Sequence, residues 1–281
     1  MSGKQFIITF WGVRGSLPVP GPGTVKFGGN TPCVQVEIGD RLFILDAGSG
    51  IYNLGQYLMQ KDGPVSGDIF ITHTHWDHIQ GFPFFAPAFV PGNRFVLYGQ
   101  GQMNSTFADL MRGQMMHPHF PVMLHEMGAH IDFCEVSGRD EIDLGDGIIA
   151  RTALNNHPSG STSYRLEHGG RSCCYLTDTE HYDYPDPELV ELARGADVVI
   201  YDANFTDEEY LGYEGLPAKK GWGHSTWQEG IKLVRAAGAR QLVLFHHAIF
   251  RNDEELEEIE RRARQVYPDC LAAREGMVIV L

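Results

Sequence analysis

The segment 68–81, DIFITHTHWDHIQG, restricts this chain more than any other. Its apolar run DIFIT reads as a buried strand that delivers His73 to its C-terminal end. In extended backbone, residues i and i+2 share a face, so His73 and His75 can point at one ion. The chain then turns, and Asp77 and His78 stand side by side where a helix can begin. Adjacent residues in a turn diverge, so this pair can serve a second ion or the first ion's water. Without partners, three imidazoles and a carboxylate crowded at the end of a buried strand would carry a heavy desolvation cost. Nitrogen and carboxylate donors suit Zn²⁺ first, with Mn²⁺ or Fe as alternatives.

One segment cannot close such a site. His157 follows the strand-like GIIARTALN, Asp178 follows CCYLT, and His246 and His247 follow QLVLF. Each lies just past the C-terminal end of an expected strand, where α/β folds gather their sites. Together with the first cluster they make up a two-metal shell.

The order of elements sets the architecture. FIITFWG, CVQVEI, RLFILDAG, DIFITH and RFVLYG read as a first set of strands. HIDFCEV, EIDLG, GIIARTALN, TSYRLEH and RSCCYLTD read as a second, followed by DVVIYDAN, RQLVLFHH and MVIVL. IYNLGQYLMQ, a stretch near 102–116, DPELVELARG, STWQEGIKLVRAAG and NDEELEEIERRARQ read as helices, the last capped by Asn252 or Asp253. Two stacked sheets with helices outside follow from this pattern, in one domain spanning 1–281. The stretch 83–130, rich in Pro, Gly, Met and aromatics, is expected to include an excursion over the mouth of the site. Its histidines, His117, His119, His125 and His130, read as surface residues rather than a third metal site.

Charge and cysteine content narrow the function. A net charge of −14 and a pI of about 5.3 oppose long-range attraction to nucleic acid. No run reaches the roughly 18 apolar residues of a membrane span, and no signal peptide is evident, so a cytoplasmic location is expected. The five cysteines are odd in number and lack C-x-x-C spacing, as suits small buried hydrophobes. Cys173 and Cys174, adjacent in a strand, should face opposite ways.

HTHWDH fits the H-x-H-x-D-H signature of the metallo-β-lactamase superfamily, an αββα sandwich of metal-dependent hydrolases. The resemblance runs through LDAGSG at 45–50, NHP at 156–158, LTDTE at 176–180 and LFHH at 244–247. It implies one metal on His73, His75 and His157, a second on Asp77, His78 and His246, and Asp178 bridging them. His246 is preferred to His247 as the last ligand because it directly follows the strand; His247 would then face substrate or pack.

The C-terminal half resembles the ribonuclease Z and cyclic-phosphodiesterase branch. His224 in GHST falls on that branch's histidine near the scissile phosphate, and Asp202 in YDANF stands where the branch commonly has Glu. The resemblance implies His224 as general acid, Asp202 as its support and Asp77 as the group orienting a hydroxide activated by the two metals. The Gly-rich N-terminal region, FWGVRGSLPVPGPG, resembles phosphodiesterase-like hydrolases, and Arg14 there would contact a phosphate or pair with an internal carboxylate. The stretch 158–176 leaves no room for the arm with which ribonuclease Z grips tRNA. The expected substrate is therefore a small phosphodiester, such as a cyclic nucleotide, with RNA unfavoured and a homodimer left open. The alternatives are another ester or lactone hydrolase of this fold, a tRNA 3′-processing nuclease, an iron oxidoreductase and a non-catalytic metal sensor.

Overall fold

The computed structural model describes residues 5–102, 104–215 and 217–281. The first strands are β1 (Phe6–Gly12), β2 (Cys33–Ile38), β3 (Arg41–Leu45), β4 (Ser66–Phe70), β5 (Arg94–Gly99) and β6 (His130–Glu135). The next are β7 (Glu141–Asp143), β8 (Ile149–Asn155), β9 (Ser161–His168), β10 (Arg171–Leu176), β11 (Val198–Asp202), β12 (Gln241–Phe245) and β13 (Cys270–Ala272). The last, β14 (Val278–Val280), returns to the first sheet. The two seven-stranded sheets run β14-β1-β2-β3-β4-β5-β6 and β13-β12-β11-β10-β9-β8-β7. Seven α-helices accompany them among the described residues: α1 (Ile51–Leu58), α2 (Trp76–Ile79), α3 (Phe107–Gly113), α4 (Pro187–Leu192), α5 (Asp207–Leu211), α6 (Trp227–Ala237) and α7 (Asp253–Val266).

Period-two alternation splits the buried strands between layers. In β12, Val243 and Phe245 enter the core between the sheets, while Leu242 and Leu244 pack under the helices. In β10 the same rule sends Cys173 and Tyr175 inward and Cys174 and Leu176 outward, so the adjacent cysteines do face opposite ways. A third cluster, with Ile44, Ile69, Leu54 and Leu97, lies under the helices of the first sheet. Three apolar layers between four structural layers give the αββα sandwich. All five cysteines are free, and all but Cys134 are buried.

Strand direction decides where side chains gather. β3, β4, β5 and β6 are mutually parallel, as are β10, β11, β12 and β13. β8 is antiparallel to β9, which is antiparallel to β10, so β8 runs the same way as β10. The C-terminal ends of β3 and β4 thus emerge on one edge of the first sheet, and those of β8, β10, β11 and β12 on one edge of the second.

Several expectations change in detail. The strand β13 and the helix α5 are not apparent in the sequence, since Cys-Leu-Ala and a five-residue turn of helix carry little periodicity. Asn252 caps α7, whereas Asp253 accepts the Lys26 and Phe27 amides. The helix expected near 102–116 shortens to α3, because Thr106 caps it by accepting from the Asp109 amide. Much of 83–130 is interior rather than an excursion: β5 lies between β4 and β6, and Phe85, Phe95, Phe107, Met111, Met115 and Met127 fill the outer core. Gln102 does reach the rim of the site, where its Nε2 donates to Ser159 O at 2.6 Å. Among the described residues, no three donors converge from His117, His119, His125 and His130, and no helix is long and apolar enough to cross a membrane.

Candidate metal centre

The strand ends named above bring seven side chains into one cluster. Donor atoms of His73, His75 and His157 lie within 4.8 Å of one another, as do those of Asp77, His78 and His246. Asp178 stands between the two groups. Its Oδ1 is 3.9 Å from His73 Nε2 and 3.8 Å from His157 Nε2, while its Oδ2 is 3.1 Å from His78 Nε2 and 3.3 Å from His246 Nε2. Asp77 Oδ2 lies 3.2 Å from both His78 Nε2 and His246 Nε2 and accepts the Ser16 amide at 2.7 Å.

Backbone strain concentrates here. Asp46, Asp178 and His246, each just beyond a strand end, adopt φ values of 61°, 54° and 58°. For residues other than glycine this left-handed region costs about 1–3 kcal/mol, and it persists only where surroundings enforce it. Close approach also demands glycine at two positions. A Cβ on Gly15 would fall 2.5 Å from the His246 ring, and one on Gly223 would fall 2.4 Å from the His157 ring.

The imidazoles are aimed by their far nitrogens. His78 Nδ1 pairs with Asp46 Oδ2 at 2.7 Å, leaving Nε2 toward the carboxylates. Asp46 itself is fixed by the Thr72 amide at 2.8 Å and the Tyr175 hydroxyl at 2.9 Å. His75 Nε2 pairs with Ser159 Oγ at 3.0 Å, which leaves Nδ1 as its free nitrogen. Asn204 Nδ2 donates to His246 O at 2.9 Å. His73 Nε2 is buried without a hydrogen-bond partner, and His78 Nε2, though 3.1 Å from Asp178 Oδ2 and 3.2 Å from Asp77 Oδ2, meets neither in hydrogen-bonding geometry. Orphaned imidazole nitrogens facing a shared carboxylate fit a pair of divalent cations in a way that a packed core does not.

Electrostatics follow from burial and crowding. Burial, reinforced by neighbouring imidazoles, holds His73 well below its ordinary pKa, and burial brings His157 down to about 4. Burial would raise the Asp178 carboxyl, but His246 and His78 outweigh it and hold it well below the carboxylate range. His224 sits beside the cluster, its ring 5.0 Å from that of His246, with Nδ1 2.9 Å from Asp202 Oδ2. Burial disfavours its charged form, yet the Asp202 carboxylate prevails and the ring is pushed up to about 9. The shorter aspartate therefore still reaches the histidine.

Of the two residues offered to substrate, Arg14 lies in the interior and His247 takes its packing alternative. Arg14 is fully buried, and its guanidinium donates to Gly28 O and Arg251 O, both at 2.8 Å. It braces loops beneath the site and is not available to a phosphate. His247 turns away from His246: its Nε2 bonds Ala273 O at 2.9 Å, and burial brings its pKa down to about 3. It is a packed neutral histidine. Asp46, Ser159 and Asn204 were not singled out from the sequence, although Asp46 sits in the LDAGSG motif that was.

Residues 41–247 match the family model described as a β-lactamase superfamily domain, and the chain belongs to the metallo-β-lactamase superfamily of hydrolases. Within it, the chain is 38% identical to Ribonuclease Z of Gemmatimonas aurantiaca, over 98% of this chain and 96% of that one. Two solved structures share the fold. Human tRNase Z, short form, has a TM-score of 0.68 at 20% identity, covering 97% of this chain and 98% of that one. A diphosphatase from the PhnP family has a TM-score of 0.72 at 20% identity, covering 98% and 97%. The name of the relative at 38% identity stands in tension with the expectation that RNA is unfavoured.

Proposed function

We propose that this chain hydrolyses phosphodiester bonds at a dinuclear cation site, with Zn²⁺ the leading ion. The observation that carries the reading is Asp178, whose two oxygens face two separate groups of donors. His73, His75 and His157 would hold one ion, Asp77, His78 and His246 the other, and Asp178 both. When bound, such ions supply a nucleophile at neutral pH and a clamp for phosphoryl oxygens. Asp77, tethered by the Ser16 amide, orients the attacking water. His224 holds a proton on the ring nitrogen opposite Asp202 and donates it to the leaving oxygen, while Asp202 fixes the ring's tilt. Asp202 is itself fixed, accepting the Asp178 and Asn204 amides at 3.1 Å.

RNA is the leading substrate, because the full-length relative at 38% identity is named Ribonuclease Z. A second reading, a small phosphodiester, draws on one feature: β9 and β10 are joined by Gly169 and Gly170 alone, with no arm between them. Incubating the metal-loaded protein with a 3′-extended tRNA precursor, 3′,5′-cyclic AMP and bis(p-nitrophenyl) phosphate separates these. Cleavage of the precursor supports RNA, and cleavage of the two small esters alone supports the second reading. Turnover of none of them, with a lactone or nitrocefin hydrolysed instead, rejects phosphodiester chemistry.

A further inference from the structure

We infer that Glu180 is a positioning residue for His224, acting through the turn that carries it; this rests on the acid role proposed above for His224. Glu180 lies two residues past Asp178 and its main chain is clipped to the His157 loop. Its amide donates to Asn156 O at 2.8 Å, and Asn156 Nδ2 donates back to Glu180 O at 3.1 Å. Its buried carboxylate reaches the segment before His224. Oε1 accepts from the Tyr210 hydroxyl at 2.7 Å and the Gly221 amide at 2.8 Å, and Oε2 accepts from the Gly223 amide at 2.9 Å.

One carboxylate thus holds both amides that flank Trp222, immediately before His224. Hydrogen bonds to an ionised acceptor are the strong ones. Gly221 and Gly223 have φ values of 84° and 83°, a left-handed conformation that glycine tolerates and that turns both amides toward Glu180. The ring of His157 stands where a Cβ on Gly223 would lie, so the turn is held between Glu180 and His157. Asp202 sets the tilt of the His224 ring; Glu180 sets where its backbone stands. The same residue spans the strand end of Asp178, the loop of His157 and the turn of His224, registering the acid against the metal ligands.

Glutamine at 180 offers one acceptor oxygen and places a donor where the second oxygen was, so it cannot serve both amides. The test compares leaving groups, using thymidine 5′-phosphate esterified with p-nitrophenol or with phenol. The nitrophenolate departs with little need of a proton, whereas the phenolate needs the acid. In metal-loaded Glu180→Gln, kcat on the phenyl ester should fall about 10- to 100-fold while the nitrophenyl ester changes less than about 3-fold. KM for both esters and the metal content should hold. His224→Ala should show the same split, and adding Glu180→Gln to it should cost less than about 3-fold more. Equal slowing of both esters, or loss of metal, would overturn the inference. If the glutamine variant does not fold, Glu180→Asp is measured by the same criteria, its carboxylate withdrawn by one methylene. A split in His224→Ala but not at position 180 sinks this inference alone. No split in His224→Ala removes the acid role, and this inference falls with it.

Discussion

The strand-end cluster and the cleft outside β8 and β9 are both rich in charge, and they handle it in opposite ways. The cleft, about 840 Å³, is lined by Arg139, Arg151, Arg165, Glu141, Glu167 and Glu188 among others. There each guanidinium has its carboxylate: Arg151 with Glu141 and Glu167, Arg165 with Glu167, Arg139 with Glu188. In the cluster, imidazole nitrogens lie buried without partners, carboxylates crowd one another, and three residues hold left-handed backbone. What sets the cluster apart is the coincidence of orphaned imidazole nitrogens, left-handed backbone and converging ligand-type donors, none of which the paired charges of the cleft show. A protein retains such frustration where a bound group relieves it.

The comparison breaks most visibly at Asp178. Asp178→Ala removes the one side chain shared by both donor groups. Both ions should be lost on dialysis, and kcat/KM should fall by about 10³-fold or more, the several kcal/mol that metal chemistry supplies. Retention of two ions per chain, measured by elemental analysis, would mean the groups are not joined as the geometry suggests. His224→Ala comes next, with a fall in kcat of about 10²-fold or more on the phenyl ester, whose leaving oxygen needs a proton, little change on the nitrophenyl ester, and full metal content. Metal loss in that variant would move His224 from acid to ligand.

Much of the site was legible because its residues follow strands whose direction could be inferred. HTHWDH declares itself through spacing alone, and His157, Asp178 and His246 each follow an apolar run. Asp46 was not legible as an orienting group, because His78, Thr72 and Tyr175, its partners, are distant in sequence. Arg14 misled for a related reason. Its acceptors are backbone carbonyls of Gly28 and Arg251, and a carbonyl leaves no signature in residue type. The β13 strand and α5 helix were missed because short elements are specified by the layers they join. The apolar alternation of β10, by contrast, placed Cys173 and Cys174 on opposite faces without help.

Asp46→Ala sharpens the comparison at intermediate scale. It should weaken metal affinity about 10- to 100-fold, as loss of an outer carboxylate does, without abolishing activity at saturating metal. Titration with a competing chelator measures this. Unchanged affinity would mean that His78 is aimed by packing alone.

The smallest effect is expected where charge is already paired. Arg151 is part-exposed and its two carboxylate partners are solvated, so water replaces the guanidinium readily when it is removed. Arg151→Ala should cost about 0–1 kcal/mol of stability, less at high salt, and should leave kcat and metal content at the parent values. Denaturant unfolding beside an activity assay reads both. A loss of activity on RNA with no loss on bis(p-nitrophenyl) phosphate would turn the comparison around, since the cleft would then be contacting the nucleic acid and its ion pairs would be exchanging glutamate for phosphate.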